Sequence, residues 1–309
     1  MNLNPANQLS LYGHHYEFSN FIRLYEKNKL PNKILISGEK GIGKTTLAYH
    51  IINQILSFDE DYAYDSDNFR INPDNKSFKL ILNKTNPNFF SIDIEDEKKS
   101  IDINQIRKLI LKLNTSSFNK KPRLVLIDNI EYLNINSVNA LLKTLEEPNN
   151  NIYFILINNN KKILPTLKSR CLNYNIHLTS NQSFDITKKI LGTNFVDLIN
   201  NEMINNYSTP GEILSLIDFS NSNDIDLKEV NLKDFIKKII IEKKYKKDQS
   251  TKLLLYSLIE IYFRNNISIK NIKFLNIKNY FLKKINKTKI FNLDDESLLI
   301  EFEDKVLNG

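Results

Sequence analysis

The chain has 309 residues, 41% hydrophobic and 26% charged, a balance that supports two or three cored domains and excludes a disordered polypeptide. A single cysteine, Cys171, excludes an internal disulfide framework and any cysteine-rich zinc site, so no zinc is expected. No apolar run reaches the length of a membrane span, and the start MNLNPANQLSLYGHH lacks a basic region followed by an apolar stretch; a cytoplasmic protein without a secretory signal is expected. The net charge of +7 suits a partner rich in phosphates. Lysine runs such as residues 243–247 are more often the solvated faces of helices than binding patches.

In chain order, Lys33-Ile34-Leu35-Ile36-Ser37 reads as a short buried strand, a glycine loop follows, and residues 47–56 carry apolar side chains at helical spacing. Residues 57–90 are polar, aromatic and irregular, and read as an insertion or long connection. Helical periodicity returns over 101–113 through Ile103, Ile106, Leu109, Ile110 and Leu113. Leu124-Val125-Leu126-Ile127 is a buried strand ending in Asp128. Residues 137–145 read as a helix stopped by Pro148, 152–157 as another strand, and 163–169 as a short helix opened by Pro165. Strands alternating with helices predict an α/β layer with a parallel sheet. Beyond about residue 178 the strand pattern disappears. Residues 179–220 read as a small helical module with Pro210-Gly211 at a helix start, and 225–309 as amphipathic helices, among them 232–241, 251–264 and 272–285. The expected domains are 1–178, 179–222 and 223–309.

Glycine is scarce, seven residues in all, yet three of them fall in Gly38-Glu39-Lys40-Gly41-Ile42-Gly43-Lys44-Thr45. This fits the phosphate-binding loop G-x-x-x-x-G-K-[ST]. Backbone N–H groups must wrap phosphate oxygens closely there, and side chains at the glycine positions obstruct that approach. Lys44 is the candidate contact to the outer phosphates, Thr45 a candidate ligand of Mg²⁺, and Thr46 extends the loop into the following helix, whose N-terminal end favours anions. Asp128 is the candidate second Mg²⁺ group; the plain alternative is a cap at a strand–loop junction. The residue after it is Asn129, which cannot serve as a general base. Glu131, two residues further, is expected to point differently.

The string Ser137-Val138-Asn139-Ala140-Leu141-Leu142-Lys143-Thr144-Leu145-Glu146-Glu147-Pro148 is, taken alone, an amphipathic helix with a proline stop. Together with Phe154-Ile155-Leu156 and Leu164-Pro165-Thr166-Leu167-Lys168-Ser169-Arg170-Cys171, it resembles the bacterial clamp-loader subunits of the gamma/tau and delta-prime kind. Leu11-Tyr12-Gly13-His14, Asn86-Pro87-Asn88-Phe89 and Ile103-x-x-Ile106-Arg107 point to the same family. The likeness covers roughly residues 8–178. It implies an AAA+ P-loop module, a small helical lid and an all-α collar. It further implies an open five-membered ring with gamma/tau and delta partners, loading a sliding clamp on primed DNA gripped through its phosphates, with ATP and Mg²⁺ as cofactors and no membrane. Arg170, in the Ser-Arg-Cys string, would be an arginine finger acting in trans on a neighbour's γ-phosphate; the plain alternative is a surface salt bridge.

Three departures favour delta-prime over gamma/tau. The motor's four-cysteine module is absent, the sensor-arginine string would fall near Ser208-Thr209-Pro210-Gly211-Glu212 with glycine in the arginine position, and Asn129 replaces the catalytic Glu. The leading expectation is thus a stator-like subunit with impaired ATPase. The alternatives are an active gamma/tau-like motor, supported by Lys44, Thr45 and Asp128, and a DNA-binding initiator-type AAA+ protein, for which residues 225–309 show no helix-turn-helix signature.

Overall fold

A computed structural model describes residues 3–95, 98, 100–115, 119–146, 151–204, 207–266, 272–291 and 293–308. The chain divides into two compact units, Met1–Gln182 and Ser183–Gly309.

The first unit is an α/β layer. Its elements are α1 (His15–Glu26), β1 (Lys33–Ser37), α2 (Lys44–Ser57), α3 (Lys76–Leu82), β2 (Phe89–Ile92), α4 (Ile103–Leu113), β3 (Arg123–Ile127), α5 (Ile135–Glu146), β4 (Ile152–Asn158), α6 (Pro165–Lys168) and β5 (Leu172–Asn175). The five strands are parallel, in the order β2-β3-β4-β1-β5. The inner strands are almost unbroken apolar runs because helices cover both sheet faces; every residue of Leu124–Ile127 and Leu35–Ser37 is buried. The register sets Ile36 between Ile157 of β4 and Tyr174 of β5. Parallel pairing brings the C-terminal ends of β1, β2, β3 and β4 to one edge of the sheet, the edge at which open α/β sheets bind ligands.

Two strands lacked a usable pattern. β5 (Leu-Asn-Tyr-Asn) lies at the sheet edge with Leu172 47% exposed, so it carries little apolar signal. β2 has only four residues, two of them half-buried. The stretch 57–90, expected to be irregular, is ordered in part by its polar side chains. Asn75 caps α3 by accepting from the Phe78 amide at 2.7 Å, and Asp65 Oδ1 accepts from the amides of Asp67 and Asn68. The ring of Tyr64 stacks on Phe18 of α1, and its hydroxyl lies 2.8 Å from His50 Nδ1 on α2, so the segment packs as part of the unit's core. Pro148, the expected helix stop, lies outside the described residues; α5 is described up to Glu146.

The second unit is helical: α7 (Ser180–Leu191), α8 (Pro210–Asn221), α9 (Leu232–Ile241), α10 (Gln249–Asn265), α11 (Ile272–Phe291) and α12 (Asp295–Phe302), ending in a π-helical turn, Glu303–Leu307. The helices expected at 232–241, 251–264 and 272–285 are all present. One apolar cluster runs from Phe195 through Phe235 and Phe263 to Leu307, so side chains on both sides of residue 222 share a core. Among the described residues no helix is long and apolar enough to cross a membrane.

Candidate functional site

The glycine loop joins β1 to α2 at the C-terminal edge of the sheet. Gly43 takes φ +90°, and a Cβ on Gly38 would stand 2.4 Å from the Ile176 carbonyl oxygen, so both positions need glycine. Gly41 is likewise left-handed, at φ 87°. Gly43 is also the N-cap of α2 and supplies no side-chain hydrogen bond, which leaves the first-turn amides, those of Lys44, Thr45 and Thr46, without a side-chain cap. His14 braces the loop: its buried ring donates from Nε2 to the Ile42 carbonyl at 2.7 Å, and burial holds it below the usual imidazole range. Lys44 is buried, with its ammonium donating to Gly38 O at 2.9 Å and Glu39 O at 2.5 Å. Burial lowers its pKa to about 8, partly opposed by the charges of Asp128 and Glu131. Thr46 is half-buried in the first turn of α2.

Asp128 ends β3 beside the loop. Its Oδ2 accepts from Thr45 Oγ1 at 2.7 Å and its Oδ1 from the Asn129 amide at 2.8 Å. Burial nonetheless pushes the carboxyl up to about 6, and the charge of Asp93 adds to the rise. Lys44 and Asp128 each sit in surroundings that penalise their charge. Phosphate anions at the first and a divalent cation at the second would relieve both penalties. The donor set therefore fits a Mg²⁺-nucleotide: uncapped helix-start amides, a lysine, and a hydroxyl paired with a carboxylate.

The same edge carries a chain of polar side chains drawn from three strand ends. Asn129, left-handed at φ 53°, donates from Nδ2 to Asp93 Oδ1 at 2.7 Å, while its Oδ1 accepts from Asn159 Nδ2 at 2.8 Å. Asn159 Nδ2 also donates to Glu131 Oε1 at 2.9 Å. The Asn129 amide is thus committed on both sides, and a carboxamide has no basicity with which to take a proton from water. Glu131 lies on a 3-10 turn, Ile130–Tyr132, turned onto Asn159, and its charge still reaches Lys44.

Arg170 stands apart, on the connection between α6 and β5. The flanking Cys171 is buried among Leu145 and Leu167, and burial pushes its thiol up to about 11, which leaves it protonated and unreactive. The Arg170 side chain remains one-third exposed and pairs with Glu146. The segment Ser208–Glu212, which carries glycine at the expected sensor-arginine position, is the start of α8: Thr209 and Glu212 form a capping box and Pro210 occupies the first turn.

Sequence reasoning singled out Gly38, Gly41, Gly43, Lys44, Thr45, Thr46 and Asp128, and the fold brings them together. It did not single out Asp93, Asn159 or His14. Asn159 has one legible trait, a polar residue directly past the buried strand β4, whereas Asp93 follows a strand that is only partly buried and has none. His14 was legible only as part of the family string Leu11–His14; its contact was not, because its partner is a backbone carbonyl 28 residues away.

A family model described as DNA polymerase III, delta subunit, matches residues 13–180. The DNA polymerase III subunit delta' of Pseudomonas aeruginosa is 34% identical over 140 residues, which cover 45% of this chain and 40% of that protein. The subunit delta' of Buchnera aphidicola subsp. Schizaphis graminum is 31% identical over 162 residues, 52% of this chain and 47% of that one. The subunit gamma of the same organism also matches, at 28% over 196 residues, 62% of this chain and 52% of that one. The chain spans about half the length of the curated relatives it matches. A solved gamma subunit-related protein from Thermotoga maritima has the same fold, with a TM-score of 0.53 at 19% identity, covering 92% of this chain and 96% of that one. As the family match takes in more than half of the residues, with delta' subunits among the relatives, the chain belongs to the DNA polymerase III delta-subunit family as a member of the delta-prime type.

Proposed function

We propose that this protein works in a clamp loader as a stator: an AAA+ body that lends Arg170 to the nucleotide of a neighbouring gamma/tau-type motor while contributing little hydrolysis of its own. The observation that carries this reading is the state of Asn129. Where a motor needs a carboxylate next to Asp128, this chain has an amide held between Asp93 and Asn159. Arg170, by contrast, is one-third exposed on a connection anchored by the buried Leu167 and Cys171. A guanidinium is always charged and offers forked donors to phosphate oxygens, which suits action across a subunit boundary.

In this reading the phosphate loop remains able to bind. Its amides and Lys44 would take the phosphates, Thr45 and Asp128 the Mg²⁺, and a bound nucleotide would supply charge that organises the loop. Residues 179–222 would act as a lid and 223–309 as the collar that holds gamma/tau and delta partners in a five-membered ring. The assembled ring would grip the sliding clamp and, through phosphates, primed DNA in the cytoplasm, so DNA binding should be insensitive to sequence and sensitive to salt.

A second reading, a self-sufficient motor, draws on the intact contact between Thr45 and Asp128. The two separate in a clamp loader reconstituted with gamma/tau and delta partners, assayed for DNA- and clamp-stimulated ATPase. In the stator reading Arg170→Ala depresses turnover, by about 10³-fold or more at the site it serves, and Lys44→Ala leaves the total nearly unchanged. The reverse pattern would establish the motor and overturn the stator.

A further inference from the structure

We propose that Glu146 is a positioning residue for Arg170, a carboxylate latch that holds the guanidinium on its own subunit until a phosphate from the neighbour's nucleotide replaces it. This rests on the trans-acting role of Arg170 proposed above. It also unites two views of Arg170, finger and surface salt bridge, as successive states of one side chain.

Three nitrogens of the guanidinium are engaged within the chain. Nε and Nη2 both donate to Glu146 Oε1, at 3.0 and 2.5 Å, and Nη1 donates to the Thr166 carbonyl at 2.9 Å. In this arrangement the side chain lies folded back on its own surface, with its donors spent on oxygen acceptors of the kind a γ-phosphate offers. Both partners rise from rigid bases. Glu146 follows Leu145, which is fully buried, and Arg170 precedes Cys171, buried in the same core. The Leu145 carbonyl is further pinned by Lys33 Nζ at 2.9 Å. The tips, however, are exposed, the Arg170 side chain by 34% and that of Glu146 by 51%.

Placement argues against a device for stability alone. Glu146 is the last described residue of α5 and stands two residues before Pro148, where the sequence sets a helix stop, so a carboxylate there gains little from the helix dipole unless a cation meets it. An exposed pair is also a weak one. A weak latch is what the task requires: it keeps a long side chain from sampling unproductive rotamers, and it yields to an anion of higher charge. Carboxylate and phosphate compete for the same donors, so the latched fraction lowers the apparent availability of the finger.

The test uses the reconstituted clamp loader with Glu146→Gln, Glu146→Asp, Arg170→Ala and the Glu146→Gln/Arg170→Ala double variant, assayed for ATPase across ATP concentrations. Glu146→Gln keeps the shape and removes the charge. It should raise turnover at subsaturating ATP by about two- to fivefold, the range a weak exposed pair allows, mainly through KM. Glu146→Asp should fall between. The gain should vanish when Arg170 is Ala, and should shrink as ionic strength rises from about 0.05 to about 0.5 M, because the competing pair is screened. A fold support role would show none of this salt dependence. Turnover that falls or stays level in Glu146→Gln, while Arg170→Ala cripples it, overturns the latch and leaves the finger standing. A gain that persists without Arg170 also overturns the latch. Silent Arg170→Ala overturns the finger and the latch together.

Discussion

The two units differ in where they place charge. In the helical unit several carboxylates are met by cations at the surface: Glu296 takes Lys243 and Lys246, Asp295 takes Lys252, and Glu301 takes Lys284 and Lys305. Its interior is apolar and aromatic, with Phe263 at the centre of a group that includes Phe274, Phe281 and Phe302. In the α/β unit, Asp128 and Lys44 are drawn into the edge of the sheet, where burial raises the one and lowers the other. The helical unit has the arrangement of a scaffold. The α/β unit bears an electrostatic cost at one edge, and such cost without an evident structural return marks a place built for a ligand.

If the units are separate cooperative bodies, damage to one core should stay there. Phe263→Ala removes a fully buried ring and should destabilise the helical unit by about 3–5 kcal/mol. Hydrogen exchange on the whole chain should then lose protection across residues 183–309 while the amides of β1, β3 and β4 keep theirs. Loss spreading through the sheet would mean that the two units fold as one.

The contrast also explains how far the sequence could be read. The glycine loop, the Asp128 strand end and the Ser-Arg-Cys string are local patterns whose chemistry lies in adjacent residues, and each was visible. Helices 232–241 and 272–285 were visible because one face of each repeats at helical spacing. The Asn129–Asp93 and Asn129–Asn159 contacts were not, since they join strand ends 36 and 30 residues apart and depend on the order of strands in the sheet. The stretch 57–90 was opaque for another reason. Part of its order comes from Asn and Asp side chains bonding to nearby amides, which carries no hydrophobic period, and its buried residues, such as Tyr64 and Ile71, are too scattered to show one.

The electrostatic cost at the sheet edge can be measured through Asp128→Asn. A folded-state value raised to about 6 means that the folded protein holds this proton more tightly than the unfolded chain does. The carboxylate is therefore destabilising above about pH 6, and the penalty fades as pH falls toward the unfolded value. Asp128→Asn retains an oxygen for Thr45 and should stabilise the nucleotide-free protein by about 1–3 kcal/mol at pH 7. The gain should fade as pH falls toward the unfolded value of 3.8 and vanish below it. His50, which burial lowers to about 4, contributes an acid loss over the same range. That term is common to both proteins and cancels in their difference. The same substitution should weaken Mg²⁺-nucleotide binding. A stabilised variant with unchanged nucleotide affinity would show that Asp128 is a strand cap and nothing more.

The smallest effect belongs to the helical unit, and its sign is opposite. Glu301 on α12 accepts from Lys284, from Lys305 Nζ at 2.7 Å and from the Tyr280 hydroxyl at 2.8 Å. The hydrogen bond from Lys284 is the first cause that holds its carboxyl down at about 2. A depressed carboxylate stabilises above its unfolded value, and the contribution is lost as pH falls from about 4.5 through about 2. Because the cluster borders solvent, screening reduces its worth, and Glu301→Gln should cost only about 0.5–1 kcal/mol at neutral pH. The cost should diminish in high salt and below about pH 2, where wild type and variant converge. Placed beside Asp128→Asn, the result sharpens the contrast between the units. Removing a carboxylate stabilises the protein where the charge is buried for a ligand and destabilises it where the charge is paired on a scaffold. If both substitutions moved stability in the same direction, the distinction drawn between the units would fail.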